Sequence, residues 1–247
     1  MKGAEPFSSE GGSAGVLVLH GFTGNPHSLR LVAEALAESG FSVDLPLLPG
    51  HGTDIEDMLD TGWSDWSRAA EEAFGRLADR CERIGLVGLS AGGSLSCWLA
   101  ENHPEVRCIA LVNPMVDPPA QSFRDVIRGI LESGETTVPG IGSDISKPGV
   151  TELAYPATPL KAALSLFEGV DGVAADLAKI ACPCLVFTST QDHVVPNESS
   201  ALVVRSVSGP VEQVVLEKSF HVATLDYDAE AIRDRIVGFV TDHLGAP

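Results

Sequence analysis

Short apolar runs alternate with amphipathic segments along most of the chain. Runs without polar interruption are typical of strands buried on both faces, and apolar residues at a spacing of three and four are typical of helices. Their alternation predicts an α/β fold with a mostly parallel sheet and helices on both faces. The predicted strands are 15–19, 41–45, 84–89, 106–112, 184–188 and 211–216, and the predicted helices are 28–39, 63–81, 92–102, 197–206 and 230–244.

One interval between strands is too long for a simple crossover. We therefore predict that 114–180 is an inserted cap over the mouth of the sheet and that 1–113 and 181–247 form the core domain. The expected parts of the cap are a helix at 118–133, a mobile Gly- and Pro-rich loop at 135–149, and a second helix that begins at Thr158-Pro159 and is split at Gly169 and Gly172.

Composition and charge indicate which classes of molecule the protein binds and where it is located. The 247 residues carry 16 Lys and Arg against 34 Asp and Glu, a formal net charge of −18. This charge disfavours nucleic acid and anionic membrane surfaces and agrees with a neutral substrate. No apolar run is long enough for stable membrane insertion, and the first ten residues do not resemble a signal peptide. Five cysteines in apolar patterns predict reduced thiols in a cytoplasmic protein, and the histidine spacing predicts no metal site.

Ser90 lies in a Gly-Leu-Ser-Ala-Gly run at 88–92, directly after one strand pattern and before a helix pattern. A serine flanked by glycines also occurs in ordinary turns, but between a strand and a helix it is typical of a nucleophile elbow. The small neighbours permit a tight turn that lifts the hydroxyl out of the sheet and directs the following backbone N–H groups to the same point. We predict that Ser90 is a nucleophile.

A serine nucleophile needs a base to take its proton and an acid to hold the base. In sheets with such an elbow the chain order is serine, acid, histidine. Asp192 follows the strand pattern 184–188, and His221 follows the last strand pattern. All three side chains are thus predicted at the carboxyl edge of the sheet, where ligands bind.

Two alternatives remain for the acid and the base. Asp117 follows the preceding strand and could supply the acid in place of Asp192. His193 could be the base instead of His221, but it would leave the acid position empty and no strand directly precedes it. The order of the elements favours Asp192 and His221.

The tetrahedral intermediate of acyl transfer carries an oxyanion that needs two N–H donors. Ala91, which follows the nucleophile, is predicted to supply one. The loop His20–Gly24 after the first strand is predicted to supply the other from Phe22, because its glycines let the backbone turn an amide inward. The alternative for this loop is a plain strand-to-helix turn. His20 and His51 are predicted to be structural hydrogen-bonding residues.

These motifs together resemble the small bacterial carboxylesterases of the α/β-hydrolase superfamily, in particular the monoacylglycerol lipases of bacilli. The resemblance covers nearly the whole chain. It implies an α/β-hydrolase fold, the triad and oxyanion donors already predicted, and no metal or cofactor. The segments that carry it are His20–Gly24, Gly50–Thr53, Gly88–Gly93, Ile141–Asp144, Glu152–Tyr155, Asp192–Pro196 and His221–Asp228.

The resemblance also implies a substrate and three substrate-binding residues. The substrate class is a small neutral lipid ester, a monoacylglycerol, cleaved to glycerol and fatty acid through an acyl-enzyme. Glu152 matches a glutamate that recognises the glycerol hydroxyls, Asn113 a polar residue near that end of the pocket, and Ile141 an apolar residue of the acyl channel. The stretch 117–138 resembles the family poorly, which leaves the acyl-chain preference open.

Two other functions are weighed against this one. A general short- to medium-chain carboxylesterase would carry Glu152 only as a surface charge. A non-catalytic binding protein of this fold would usually lack a triad member, and here none is missing. We expect a monomer or a weak homodimer.

Overall fold

A computed structural model describes residues 1–246, and seven of the strands within this range form one sheet. The strands are β1 (Phe7–Ser9), β2 (Ala14–Leu19), β3 (Ser42–Leu45), β4 (Arg83–Leu89), β5 (Cys108–Val112), β6 (Thr137–Pro139), β7 (Ala157–Pro159), β8 (Cys184–Ser189) and β9 (Val211–Leu216). The sheet has the order β1-β3-β2-β4-β5-β8-β9, and its strand pairs are parallel except for β1 with β3.

The helices are α1 (Arg30–Glu38), α2 (Trp63–Ala78), α3 (Ala91–Asn102), α4 (Gln121–Glu132), α5 (Leu160–Asp176), α6 (Asn197–Ser206) and α7 (Ala229–Leu244). Short 3₁₀ turns lie at Pro26–Leu29, Ile55–Met58, Leu177–Lys179 and Ala223–Leu225. Among residues 1–246, no helix has the length and apolar character that a membrane crossing requires.

Strand β2 shows why the sheet is covered on both faces. Val16 and Val18 belong to the core cluster that α1 and α7 complete, while Leu17 and Leu19 belong to the cluster on the side of α2 and α3. Successive side chains of a strand point to opposite faces, so a strand that is apolar at every position is buried on both. The predicted α/β architecture is confirmed.

The segment 114–180 contains α4, the antiparallel pair of short strands β6 and β7, and α5. The prediction of a loop over all of 135–149 is wrong near its start, because β6 pairs antiparallel with β7. The second helix begins at Leu160, with Pro159 at the N-cap position, and not at Thr158.

Helix α5 is continuous, so the predicted split at Gly169 and Gly172 is wrong. Gly169 has a packing reason to be glycine: a Cβ there would lie 2.0 Å from Cδ2 of Trp63, at the start of α2. A glycine within a helix costs about 1 kcal/mol relative to alanine. Here it permits the close approach of α5 to α2.

Candidate active site

Ser90 occupies a sharp turn between β4 and α3. Its backbone has φ 56° and ψ −119°, and its N–H donates to the carbonyl of Val112 at 3.0 Å. A Cβ at Gly88 would lie 2.3 Å from the Gly92 carbonyl oxygen, and a Cβ at Gly92 would lie 2.0 Å from that of Leu19. The two glycines are therefore required by the turn, which presents Ser90 at the carboxyl edge of the sheet.

Asp192 and His221 are hydrogen-bonded to each other beyond the ends of β8 and β9. Asp192 Oδ2 lies 2.7 Å from His221 Nδ1, and the two side chains are only 2% and 8% exposed. The other carboxylate oxygen accepts the N–H groups of Val194 and Val195, both at 2.8 Å. With Nδ1–H donated to the carboxylate, His221 Nε2 is left as an acceptor, the form that a general base requires.

Ser90 and His221 line one large cavity with a volume of about 530 Å³. No direct Ser90–His221 hydrogen bond is formed among the described residues; such catalytic bonds are often long in structures without substrate. Much of the cavity wall is apolar, which suits a hydrocarbon chain. Its apolar lining includes Phe22, Leu89, Met115, Pro118, Phe123, Ile141, Ala163, Leu166, Phe167, Val194 and Val222.

The structure distinguishes between the alternatives for the acid and the base. Asp117 also lines the cavity, and its backbone N–H donates to Ser199, but the carboxylate bonded to His221 is that of Asp192. His193 pairs instead with Asp144, at 2.8 Å, and its side chain is 56% exposed. The geometry supports Asp192 and His221 as the acid and the base.

The loop after β2 passes directly beside the serine. A Cβ at Gly21 would lie 3.3 Å from Cβ of Ser90. Phe22 lines the cavity, and the next residue, Thr23, has a positive φ of 61°. Ala91 begins α3 immediately after Ser90. The backbone N–H groups of Phe22 and Ala91 thus belong to the two segments that border the nucleophile, as an oxyanion hole requires.

His20 and His51 are buried and brace this loop. His20 Nε2 accepts the N–H of Leu48 at 3.1 Å, which leaves Nδ1 to donate to the Gly21 carbonyl at 3.0 Å. Burial lowers the pKa of His20 to about 3 and that of His51 to about 4. Both imidazoles are neutral near pH 7, so they act through hydrogen bonds and packing rather than through charge.

Glu152 places a carboxyl group in the cavity, close to Gly24 of the loop after β2. The side chain is half-buried because it faces the cavity, but protein surrounds it closely. This burial raises the pKa of Glu152 to about 6, and the nearby His221 opposes the shift. The Glu152 N–H donates to Ser143 Oγ at 2.8 Å, and Tyr155 donates its hydroxyl to the Gly50 carbonyl at 2.8 Å, which anchors the segment.

The structure places Ile141 at the border of the cavity, whereas Asn113 is hydrogen-bonded to the His221 loop. Asn113 does not line the cavity. Its Nδ2 donates to the His221 carbonyl at 2.7 Å and to Ser189 Oγ at 2.9 Å, while Oδ1 accepts the Ser189 N–H at 2.8 Å. Asn113 therefore supports the His221 loop and does not line the cavity. Ile141 borders the cavity but is 63% exposed, so it lies at the mouth and not within a closed channel.

Sequence reasoning gave no role to Asp144 and Asp226, although both fall in motifs that carry the resemblance. Each is buried and accepts several backbone N–H groups around His221. The role of such a residue cannot be recognised from the sequence, because its hydrogen-bond partners lie up to 80 residues away. Within residues 1–246 no group of three or more His, Cys, Asp or Glu side chains is placed to hold a metal ion.

Comparisons with known proteins agree over nearly the whole chain. The model of the family described as serine aminopeptidase, S33, matches residues 12–228. A thermostable monoacylglycerol lipase of Bacillus sp. (strain H-257) is 44% identical, over 99% of this chain and 97% of its own. A carboxylesterase of Bacillus subtilis (strain 168) is 27% identical, over 96% of each. A structure from work on two metagenome-derived lipolytic enzymes, LipS and LipT, has a TM-score of 0.94 and 38% identity, covering 98% of this chain and 99% of that one.

The sheet, the serine turn and these relatives define an α/β hydrolase that acts on carboxylic esters. The chain belongs to the family described as serine aminopeptidase, S33, within its group of bacterial monoacylglycerol lipases and small carboxylesterases.

Proposed function

We propose that the protein hydrolyses monoacylglycerols to glycerol and fatty acid through an acyl-enzyme on Ser90. The observation that carries the substrate proposal is the carboxyl group of Glu152 inside an otherwise largely apolar cavity that also contains Ser90 and His221. A buried carboxylate is costly unless it is hydrogen-bonded. The hydroxyls of a glycerol head group would supply such bonds, and the apolar wall would receive the acyl chain.

In the first half of the reaction, His221 Nε2 takes the proton of Ser90 Oγ as the oxygen attacks the ester carbonyl. The N–H groups of Phe22 and Ala91 stabilise the oxyanion, and Asp192 stabilises the imidazolium. The carbon–oxygen bond to glycerol then breaks, and His221 gives its proton to the departing glycerol oxygen. An acyl-enzyme on Ser90 and free glycerol result.

In the second half, His221 takes a proton from water, whose oxygen attacks the acyl carbon. The same two N–H groups hold the second oxyanion. The bond to Ser90 Oγ breaks, Ser90 recovers its proton from His221, and the fatty acid leaves. The scheme uses only groups of this chain and water.

We further propose that the segment 114–180 is the cap of the site. Its residues Phe123 and Phe167 contribute to the acyl-binding wall, and Ile141 lies at the mouth. The net charge of −18 favours a neutral ester over an anionic one. The five free cysteines support a reducing location such as the cytoplasm, and a monomer or weak homodimer stays our expectation for the assembly.

The second candidate is a general carboxylesterase without preference for a glycerol head, as the Bacillus subtilis relative suggests. A substrate panel separates the two: kcat/KM for monolauroylglycerol, dilauroylglycerol and a lauroyl ester of a simple alcohol such as propanol. Our proposal predicts that the monoacylglycerol is preferred over both. Equal values for monolauroylglycerol and propyl laurate would favour the general carboxylesterase.

A further inference from the structure

Asp144 lies between the two loops that carry the acid and the base. Its Oδ2 accepts the backbone N–H of His221 at 3.0 Å and that of His193 at 3.1 Å, and its Oδ1 lies 2.8 Å from His193 Nδ1. The Asp144 carbonyl accepts the N–H of Val222 at 3.1 Å. Asp144 is 8% exposed, and its bond to the His221 N–H is buried, whereas its bonds to His193 are only partly buried.

Asp226 fixes the chain just beyond Asp144. Its Oδ1 accepts the N–H of Lys147 at 2.9 Å, and its Oδ2 accepts those of Ser146 at 2.7 Å and Phe220 at 2.9 Å. Asp226 is 1% exposed. The second half of the predicted mobile loop 135–149 is therefore tied to the histidine loop through Asp144, Ser146 and Lys147.

The donors around Asp144 belong to both halves of the catalytic pair. His193 directly follows Asp192, and the His221 amide belongs to the base itself. Hydrogen bonds from N–H groups to a carboxylate are roughly twice as strong as bonds between neutral groups. One side chain of the segment 114–180 thus bonds to both of the loops across which Asp192 and His221 meet at 2.7 Å.

We propose that Asp144 is a positioning residue for the base: through the backbone of His221 and the His193 loop, its carboxylate fixes the distance and angle between Asp192 and His221. It acts through these loops and needs no contact with the reacting ester carbon. A misplacement of about 1 Å by a change outside the reacting groups can cost about 100-fold in rate. The inference rests on the catalytic roles proposed above for Ser90, Asp192 and His221.

The test is Asp144→Asn, which keeps the size of the side chain but turns an N–H group toward N–H donors. With p-nitrophenyl butyrate we expect kcat to fall by about 10- to 100-fold, with KM unchanged within about twofold. The rate at which a fluorophosphonate labels Ser90 should fall by a similar factor. The downfield proton resonance of the Asp192–His221 hydrogen bond should shift or broaden.

Asp44→Asn is the matched control, because Asp44 is also buried and loses an ion pair with Arg76, but it lies on β3 away from the site. It should lower the melting temperature and leave kcat and the resonance unchanged. Asp144→Glu keeps the acceptor oxygens and should recover part of kcat; it is also the variant to measure if Asp144→Asn does not fold, with kcat expected below the wild-type value.

Several results would overturn the inference. A wild-type kcat in both Asp144 variants, an unshifted resonance, or a fall in melting temperature alone would make Asp144 only structural. Equal losses in Asp144→Glu and Asp144→Asn would remove the role of the carboxylate oxygens. Ser90→Ala on the same ester separates this failure from that of the proposed function: full activity in Ser90→Ala would mean that the site itself is wrong.

Discussion

Gly24 lies beside the carboxyl of Glu152, with no room for a side chain between them. A Cβ at residue 24 would lie 2.9 Å from Glu152 Oε1, closer than real Cβ contacts. The loop that is proposed to supply an oxyanion donor therefore packs closely against the carboxyl that is proposed to bind glycerol. A side chain at residue 24 is therefore expected to move the carboxyl that is proposed to bind the head group.

Gly24→Ala should displace the Glu152 carboxylate without unfolding the protein, because the clashing atom is the end of a flexible side chain. We expect kcat/KM for monolauroylglycerol to fall by about 3- to 10-fold relative to propyl laurate, the size of a weakened hydrogen bond of roughly 0.6 to 1.4 kcal/mol. Gly172→Ala is the control, since a Cβ there meets nothing within 4 Å. An equal fall on both esters would place the effect in the oxyanion loop instead.

Ser90→Ala should abolish ester hydrolysis, because no other group described in the cavity is placed on an elbow beside His221. Removing a triad member typically costs several powers of ten in kcat. Mass spectrometry after fluorophosphonate treatment should find one adduct, on Ser90, in the wild type and none in the variant. An adduct on Ser94 or Ser143 would contradict the assignment of the nucleophile.

Arg124 is expected to hold the acyl-binding wall. Its guanidinium pairs with Asp171 through bonds of 2.5 and 2.7 Å, joins α4 to α5, and lies 5.9 Å from the ring centroid of Phe167, which lines the cavity with Phe123. Arg124→Met should lower the free energy of unfolding, because both bonds to Asp171 are lost. The loss should be limited to about 1–3 kcal/mol, because half-exposed Asp171 can regain water. kcat/KM for p-nitrophenyl laurate should fall more than for p-nitrophenyl acetate. The same loss on both esters would refute a role in chain binding.

The sequence predicted the sheet, the elbow and the acid–base pair because each is encoded by a local pattern. Ser90 directly follows β4, Asp192 and His221 follow β8 and β9 within a few residues, and parallel strands end at one edge. Gly169 shows the limit of local patterns. A helix breaker and a close-packing glycine look alike in sequence, and only the position of Trp63 distinguishes them.

The sequence does not predict the side-chain contacts of residues whose partners are distant along the chain. Asn113 is polar and close to the site, yet its three bonded groups face the His221 loop and Ser189. Asp144 is 77 residues from the His221 amide that it holds. The sequence marks both as polar residues in motifs, but the direction of each side chain depends on how the segment 114–180 packs on the sheet.

Glu152 should make the protein less stable above pH 6. Its pKa is raised by burial from 4.5 to about 6, so the folded state binds its proton more tightly than the unfolded state. The cost of ionising it in the folded state is absent below about pH 4.5, grows between pH 4.5 and 6, and is complete above pH 6. The difference between 4.5 and about 6 corresponds to roughly 2 kcal/mol.

Replacing Glu152 by glutamine should therefore raise the free energy of unfolding at pH 8 and change it little at pH 4.5. Urea denaturation at the two pH values measures this difference. A Glu152→Gln variant that is equally stabilised or destabilised at both values would mean that the carboxyl is not buried as described.

The same pKa predicts how substrate preference depends on pH. Below pH 6 the Glu152 carboxyl is protonated and loses its charge-assisted bonds to glycerol, whereas propyl laurate has no glycerol hydroxyls to lose such bonds. The ratio of kcat/KM for monolauroylglycerol to that for propyl laurate should fall with a midpoint near pH 6. In Glu152→Gln the ratio should be flat; the same pH dependence in that variant would assign the effect to another group.

Glu152 is proposed to recognise the glycerol head. The direct measurement is kcat/KM of Glu152→Leu for monolauroylglycerol and for p-nitrophenyl laurate, which has the same acyl chain and no glycerol. Losing hydrogen bonds to a charged group, worth roughly 1.5–3 kcal/mol, predicts a fall of about 10- to 150-fold for the monoacylglycerol. The p-nitrophenyl ester should change by less than about twofold, because it makes no such bonds. A parallel loss on the two esters, or no loss on either, would contradict the account and favour a general carboxylesterase.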